Sequence, residues 1–375
     1  MARLYRVPAL GLDLKRFWGL RVERRDCERL LEFLRERNLV AKGARFKRIG
    51  SGIAVPIERQ LTAEETASLA LLGIRFEGAE EEFELQEARP RSLHDILLDK
   101  LPPHLLASVP RAYDVIGDIV VLELPDELKG CGALVGEAAL EVNKRARLVL
   151  NKTSDISGKF RVGGYEVIAG KGPTETLHRE HGCVYKLDPT KVFFTPRLSA
   201  ERARVASQVK RGEVVADLFA GVGPFSILIA KKVPDAKVFS VDANPFAIAY
   251  LEENVRLNRV EGRVTAILGD AGEVAGNMLR GKCSRVVMNL PAGSELFLEA
   301  ASSALLQRGG VVHMHVFVEG RESVEGKVSA LVERFKELGW GKAEASGFRI
   351  VREVGKRSYH VAADIILAGR LAHQR

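Results

Sequence analysis

The chain has 375 residues, 46% of them hydrophobic and 28% charged. That is an ordinary globular mixture, which excludes a disordered chain, a collagen-like rod and a coiled coil, and the length predicts two or three domains at about 150 residues each. The net charge is +8, and it is concentrated: residues 1–60 hold 15 Lys and Arg against 7 Asp and Glu, whereas residues 61–90 hold 8 acids against Arg75 and Arg89. A basic module that closes on an acidic boundary points to a polyanionic partner, most simply a nucleic acid.

No apolar run reaches the roughly 18 residues of a membrane helix, and Met1–Pro8 lack the apolar stretch of a secretory signal. The four cysteines, Cys27, Cys131, Cys183 and Cys283, are widely separated. They suit neither a disulfide framework nor a clustered zinc site, so a reducing cytoplasm, no membrane attachment and no bound metal are the expectation. Asn and Gln together number 13, a scarcity that fits a heat-adapted source.

Three regions follow in chain order. In the first, 1–88, helical periodicity runs through Asp26–Arg35, a strand through Gly52–Ile57, and Thr62 with Glu65 forms a capping box at a helix start. The charged, proline-containing stretch Glu87–Ser92 reads as a linker. The second region, 89–190, opens with a helix from Ser92 to Leu106. Strands follow at Val115–Leu124, Ala146–Leu150 and Tyr165–Ala169, which makes a mixed α+β module. The third region, 191–375, alternates apolar strands (214–219, 237–242, 263–268, 285–290, 310–317) with helices such as Pro245–Leu257 and Leu296–Leu306. Continuous apolar strands joined by helices predict a mainly parallel, doubly wound, Rossmann-like α/β sheet.

The chemistry is written at the strand ends of that third region. Asp217-Leu218-Phe219-Ala220-Gly221-Val222-Gly223-Pro224-Phe225 lies where its first strand turns into a helix. Gly221 and Gly223 there let the backbone approach a ligand, and the helix N-terminus offers free N–H groups. Ser226 stands where a dinucleotide fingerprint has its third glycine. Asp242 ends the second strand, placed to grip ribose hydroxyls; Asp270 follows the third; Asn289-Leu290-Pro291 ends the fourth. Open α/β sheets bind ligands at that edge, and the ordered set points to a nucleotide-like ligand. Two other groupings carry less. His178-x-x-His181-x-Cys183 matches no zinc spacing, so no metal is expected there, and His313 and His315, on one face of a buried strand, read as core.

The motifs 217–225, Val241-Asp242-Ala243-Asn244-Pro245 and 289–291 resemble the class I S-adenosylmethionine-dependent methyltransferases. More narrowly, they resemble the archaeal–eukaryal tRNA (guanine-37-N1)-methyltransferases. The likeness extends to Arg111-Ala112-Tyr113-Asp114, where Ala112 replaces a serine, to Thr176–Gly182, where His181 stands for an expected Asn, and to Val192–Arg202. It covers about residues 90–375; residues 1–88 match as an extra N-terminal domain.

The resemblance implies transfer of a methyl group from S-adenosylmethionine to N1 of guanosine 37 in a tRNA anticodon loop. Guanine N1 carries a proton, so a base and a charge-stabilising donor are needed. Glu201, read from the residues alone as a first-turn carboxylate favoured by the helix dipole, is implied as the base. Arg161 is the implied partner for charge on O6, and Asn289 bonds the guanine edge. Phe219, Gly221, Gly223, Pro224, Asp242, Asp270, Asn289 and Pro291 are implied around the cofactor. Arg197 and Arg202 are assigned to flanking phosphates and Phe193 to stacking.

A basic N-terminal domain for the tRNA body, a middle domain for the anticodon arm, a catalytic domain from 191 and a monomeric state complete the expectation. The alternatives keep or change the class. They are an added C7 methylation of an imidazo-purine precursor at position 37, an aminocarboxypropyl transfer to the tricyclic base, a non-catalytic tRNA-binding scaffold, and an NAD-dependent oxidoreductase, which Ser226 and Asn289-Leu290-Pro291 disfavour.

Overall fold

A computed structural model describes residues 14–85, 92–154, 163–355 and 357–370. The chain divides into two compact units, Met1–Arg91 and Ser92–Arg375. In the first, strands β1 (Leu14–Glu23), β2 (Lys47–Ile49), β3 (Gly52–Ile57) and β4 (Phe76–Glu84) form an antiparallel sheet in the order β2-β3-β1-β4. Helix α1 (Cys27–Glu36) buries Leu30, Phe33 and Leu34 against Leu20, Val22, Val55 and Ile57. This is the 3.6-residue stripe meeting the two-residue alternation of a sheet. Helix α2 (Ala63–Leu71) starts on the predicted capping box: Thr62 Oγ1 accepts from Glu65 N–H, and the Glu65 carboxylate accepts from Thr62 N–H.

The acidic run is not a separate patch. Its strand β4 pairs with β1, and Glu81 accepts from Arg21 at 2.6 Å and from Lys47 at 3.2 Å. Part of the basic excess of residues 1–60 is therefore neutralised inside its own sheet.

The second unit opens with α3 (Leu93–Leu97) and α4 (Pro103–Ala107). The single helix expected over 92–106 is broken, because Pro102 and Pro103 cannot continue a helix and instead begin the next one. Strands β5 (Asp114–Ile116) and β6 (Ile119–Leu122) likewise replace the one strand expected over 115–124. They form a hairpin that turns at Gly117-Asp118. Helix α5 (Gly132–Val142) carries the chain to β7 (Leu148–Lys152), parallel to β6, and β8 (Tyr165–Gly170) closes the sheet β5-β6-β7-β8.

The hairpin β9 (Thr176–Glu180) and β10 (Cys183–Leu187), expected with the middle region, gives Cys183, Tyr185 and Leu187 to the core of the sheet that follows. Asn254 and Asn258 bind its backbone: Asn254 Oδ1 accepts from Lys186 N–H at 2.6 Å and Asn258 Oδ1 from Val184 N–H at 2.9 Å.

The largest sheet has seven strands. In chain order its elements are α6 (Ser199–Gln208), β11 (Val214–Asp217), α7 (Pro224–Lys232), β12 (Lys237–Asp242), α8 (Pro245–Leu257) and β13 (Val264–Leu268). Then come α9 (Ala271–Gly276), β14 (Arg285–Met288), α10 (Leu298–Ala304), β15 (Gly309–Glu319), α11 (Val324–Glu337), β16 (Trp340–Gly355) and β17 (Ser358–Arg370). The strand order is β13-β12-β11-β14-β15-β17-β16. Pairings are parallel up to β15, and β17 runs antiparallel between β15 and β16. The predicted doubly wound sheet is present, and the order reverses beside β11, where such sheets open a crevice. The long hairpin β16–β17, absent from the sequence expectation, completes the sheet.

Candidate active site

The turn from β11 into α7 sets the floor of the site. Gly223 caps α7 in the left-handed region (φ +88°), and Pro224 follows at the first helical position. A Cβ on Gly223 would stand 2.3 Å from Leu251 Cδ1, so this glycine serves close packing against α8. Gly221 also has positive φ (+55°), but a Cβ there would meet only the Phe193 carbonyl oxygen, 3.7 Å away. Its missing side chain leaves the cleft open.

Ser226 shows why a third glycine is unnecessary. Fully buried, its hydroxyl donates to Asp217 Oδ2 at 2.7 Å and accepts from Ser240 at 2.7 Å, tying β11, α7 and β12 together. Asp217 itself faces this core, where burial pushes its carboxyl up to about 7.

Above the turn lies a cleft of about 250 Å³, which runs along the carboxyl ends of β11, β12, β13 and β14. Phe193, Arg202, Phe219, Gly221, Pro224, Asp242, Asp270, Asn289 and Pro291 all line it. Asp242 accepts from Gly221 N–H at 2.7 Å and Asn244 N–H at 2.8 Å. Burial raises its carboxyl and these N–H groups oppose the rise. Asp270 Oδ1 caps α9, accepting from Gly272 and Glu273 N–H. Asn289 Oδ1 is buried without a partner, an unmet acceptor of the kind that functional sites keep.

Glu201 and Arg197 sit elsewhere. Glu201 is in the first turn of α6, 3% exposed, and is not part of the cleft wall. Arg204 Nη2 donates to its Oε1 at 2.6 Å, Arg349 from β16 holds Oε2, and His315 Nε2 lies 3.9 Å from Oε1. Arg204 also forks onto Asp364 of β17, and His313 Nδ1 bonds Asp364 Oδ1 at 2.6 Å. Burial would raise the Asp364 carboxyl, but the bonds from His313 and Arg204 outweigh it and hold it well below the usual carboxylate range.

Arg202 is 2% exposed. Its Nη1 bonds both Glu180 oxygens at 2.8 and 2.9 Å, its Nη2 donates to the Thr195 carbonyl, and its guanidinium lies over the Phe194 ring. Arg197 donates to Asp114 Oδ1 at 2.5 Å. Both arginines are thus committed to carboxylates. Arg161 lies outside the described residues.

Among the wall residues that escaped the sequence reading are Phe317, Arg352 and His360, from β15, β16 and β17. Arg352 Nε is buried without a partner, and burial together with Arg197 lowers its pKa. No motif flags these positions: Phe317 ends the last predicted strand, and Arg352 and His360 lie 35 and 43 residues beyond it.

The His178/His181/Cys183 grouping is occupied by ordinary contacts. His178 Nδ1 accepts from Gly117 N–H, His181 bonds Ser199, and Cys183 is core. No cluster of possible metal ligands occurs among the described residues. His181 has φ +48°, the left-handed conformation in which Asn is also enriched. No helix of the described residues is long and apolar enough to cross a membrane.

Comparison with known proteins agrees with this geometry. Residues 176–340 match the TRM5/TYW2 methyltransferase domain and residues 93–174 the TYW2 N-terminal domain. A tRNA (guanine(37)-N(1))-methyltransferase of Pyrococcus abyssi, Trm5b, is 39% identical over 88% of this chain and 94% of its own length; its crystal structure superposes with a TM-score of 0.74, at 37% identity over 94% of this chain and 99% of that one. A solved complex of aTrm5 and tRNALeu matches at 31% identity and TM-score 0.70, covering 93% of this chain and 99% of that one. A tRNA(Phe) (4-demethylwyosine(37)-C(7)) aminocarboxypropyltransferase of Pyrococcus horikoshii is 31% identical over 75% of this chain and 97% of its own length. With identity of this level running nearly end to end, and with the strand-end cleft in place, this chain belongs to the TRM5/TYW2 methyltransferase family.

Proposed function

We propose that this chain transfers a methyl group from S-adenosylmethionine to N1 of guanosine 37 in tRNA. The observation that carries the reading is the extent of the likeness: the guanine-37-N1 methyltransferase of Pyrococcus abyssi covers 88% of this chain, against 75% for the aminocarboxypropyltransferase of Pyrococcus horikoshii.

The cleft fits the cofactor on its own residues. Gly221 keeps a side-chain-sized space open, the Asp242 carboxylate stands where a ribose diol needs an acceptor, and Asn289 presents an unused oxygen. Phe219, Gly221, Pro224, Asp242, Asp270, Asn289 and Pro291 would hold it, and Gly223 would act by shaping the turn. When bound, it supplies a methyl group on a sulfonium, an electrophile that needs no activation by the protein.

The chain's own task is to align the base and move its N1 proton. Asn289 can both donate to and accept from a guanine edge. Glu201 is the acceptor of the proton. Arg352, a cation on the cleft wall whose Nε has no partner, can meet charge growing on O6, with Arg161 as a second candidate. Phe193, 38% exposed, offers a ring for stacking. Arg197 contacts the RNA backbone in this reading, and Arg202 steadies Glu180 and the loop before α6 instead of reaching a phosphate.

The first unit would hold the tRNA body, the sheet β5–β8 the anticodon arm, and the seven-stranded sheet the chemistry. The protein would act as a monomer in the cytoplasm. Incubation with S-adenosylmethionine and a guanosine-37 tRNA, followed by nucleoside mass analysis, tests this. The expected product is N1-methylguanosine; a gain of aminocarboxypropyl mass would overturn the reading.

A further inference from the structure

Glu201 is the only carboxylate the mechanism uses as a base, yet it does not face the cleft. Two buried histidines lie between. His315, on β15, and His360, on β17, are 0% and 1% exposed, and His315 Nδ1 and His360 Nε2 are 2.9 Å apart. The two outer nitrogens, His315 Nε2 and His360 Nδ1, are both buried with no hydrogen-bond partner. One end of the pair lies against the base, with His315 Nε2 at 3.9 Å from Glu201 Oε1, while the other belongs to a residue of the cleft wall. Phe225 packs edge-on against His315 and Phe317 against His360, which fixes the orientation of both rings.

The proton count is fixed by chemistry. Burial pushes both imidazoles down to about 3, so both are neutral near pH 7, and the surrounding charged groups (His313, Arg202, Arg204, Asp364, Arg352 and Glu201) leave them so. Two neutral imidazoles carry two ring protons on four nitrogens. One proton sits in the bond between the rings, so one outer nitrogen is a donor and the other an acceptor. The Glu201 carboxylate, which accepts from Arg204 and Arg349, lies nearest His315 Nε2 and so draws the N–H end there, which leaves His360 Nδ1 as a lone pair.

We propose that His360 accepts the N1 proton of the target guanine and that the His360–His315 pair passes a proton on to Glu201. The step balances. The guanine N1–H bond breaks and His360 Nδ1–H forms; His360 Nε2–H breaks and His315 Nδ1–H forms; His315 Nε2–H breaks and Glu201 Oε1–H forms. The electron pair stays on N1, where it attacks the methyl group, and neither ring becomes an imidazolium. His360 is then a catalytic residue, and His315 a positioning residue that acts through it. The inference rests on the guanine-N1 reading above.

The test compares wild type with His360→Gln, His315→Gln and Glu201→Gln in single-turnover methyl transfer to guanosine-37 tRNA between pH 6 and 9.5, with S-adenosylmethionine affinity measured alongside. All three variants are expected to lose about 100-fold or more at pH 7, the usual scale of general base catalysis, while keeping cofactor affinity. The loss should shrink as the pH rises towards the ionisation of guanine N1 itself, whereas a packing defect would persist at every pH. A wild-type rate in His360→Gln at pH 7, or a deficit that does not change with pH, overturns the relay. In the wild-type protein alone, nitrogen NMR of the free state should find both rings protonated on Nε2; an Nδ1–H tautomer at His360 overturns it without any variant. A wild type that makes no N1-methylguanosine would instead sink the reading of the reaction.

Discussion

At the scale of single residues, the cleft sorts the arginines by partner. Arg197 answers Asp114, Arg202 answers Glu180, and Arg349 and Arg204 answer Glu201, so each carries a neighbouring carboxylate. Arg352 lines the cleft with its Nε unmet. Replacing it with Met keeps most of the volume and removes the charge. If it meets charge developing on O6, Arg352→Met should slow single-turnover methyl transfer by about 100-fold, the cost of losing one such donor, with cofactor affinity unchanged. A rate within twofold of wild type would assign that role elsewhere. Phosphate binding was expected of Arg202 from its motif position. The motif records residue type and spacing, but not that Glu180, 22 residues earlier, turns back on the neighbouring hairpin to bind both oxygens to one guanidinium nitrogen.

At the scale of elements, the β11–α7 turn is constrained on two sides. Gly223→Ala places a Cβ in the left-handed region, at a cost of about 1–2 kcal/mol, and drives it against Leu251, at about 1–3 kcal/mol more. The thermal midpoint of the ligand-free protein should fall by several degrees at about 2–4 °C per kcal/mol; an unchanged midpoint would mean that α8 gives way freely.

The strands and helices around this turn were legible because buried parallel strands read as apolar runs and their helices carry clear starts. Pro245–Leu257 was predicted and observed with the same ends. The hairpin β16–β17 was not legible. Its register shifts between Ala345 and Gly347, Ile350 and Arg352, and Glu353 and Gly355 interrupt the two-residue alternation by which a strand is read. The middle-region helix and strand were over-extended for the opposite reason: apolar spacing continued through Pro102-Pro103 and through the turn at Gly117.

At the scale of the molecule, the most basic stretch of the chain and the chemistry belong to different compact units. All cleft residues lie in Ser92–Arg375, while residues 1–60 of the first unit carry a local +8 that its own acidic stretch reduces to +3. Removing residues 1–91 should therefore leave a folded, cofactor-binding protein. It should weaken tRNA affinity and flatten its dependence on salt, because fewer phosphates release counterions, while the single-turnover rate at saturating tRNA changes little. Filter binding across a salt series and rapid-quench kinetics check the two halves. A collapsed rate with intact affinity would show that the first unit takes part in the chemistry.

The alternation of strand and helix, the crevice at the strand ends and the ring of residues from Phe219 to Pro291 around it can all be read along the chain. Those properties are local: each depends on a run of side chains and on the short turn that follows it. The surroundings of Glu201 arise only from long-range packing. Arg204 meets Asp364 160 residues away, Arg349 reaches Glu201 across 148 residues, and His315 pairs with His360 across 45. No spacing along the chain encodes such contacts, because they form only when an antiparallel hairpin is laid beside the fifth strand of the sheet and its inward side chains meet the first turn of α6.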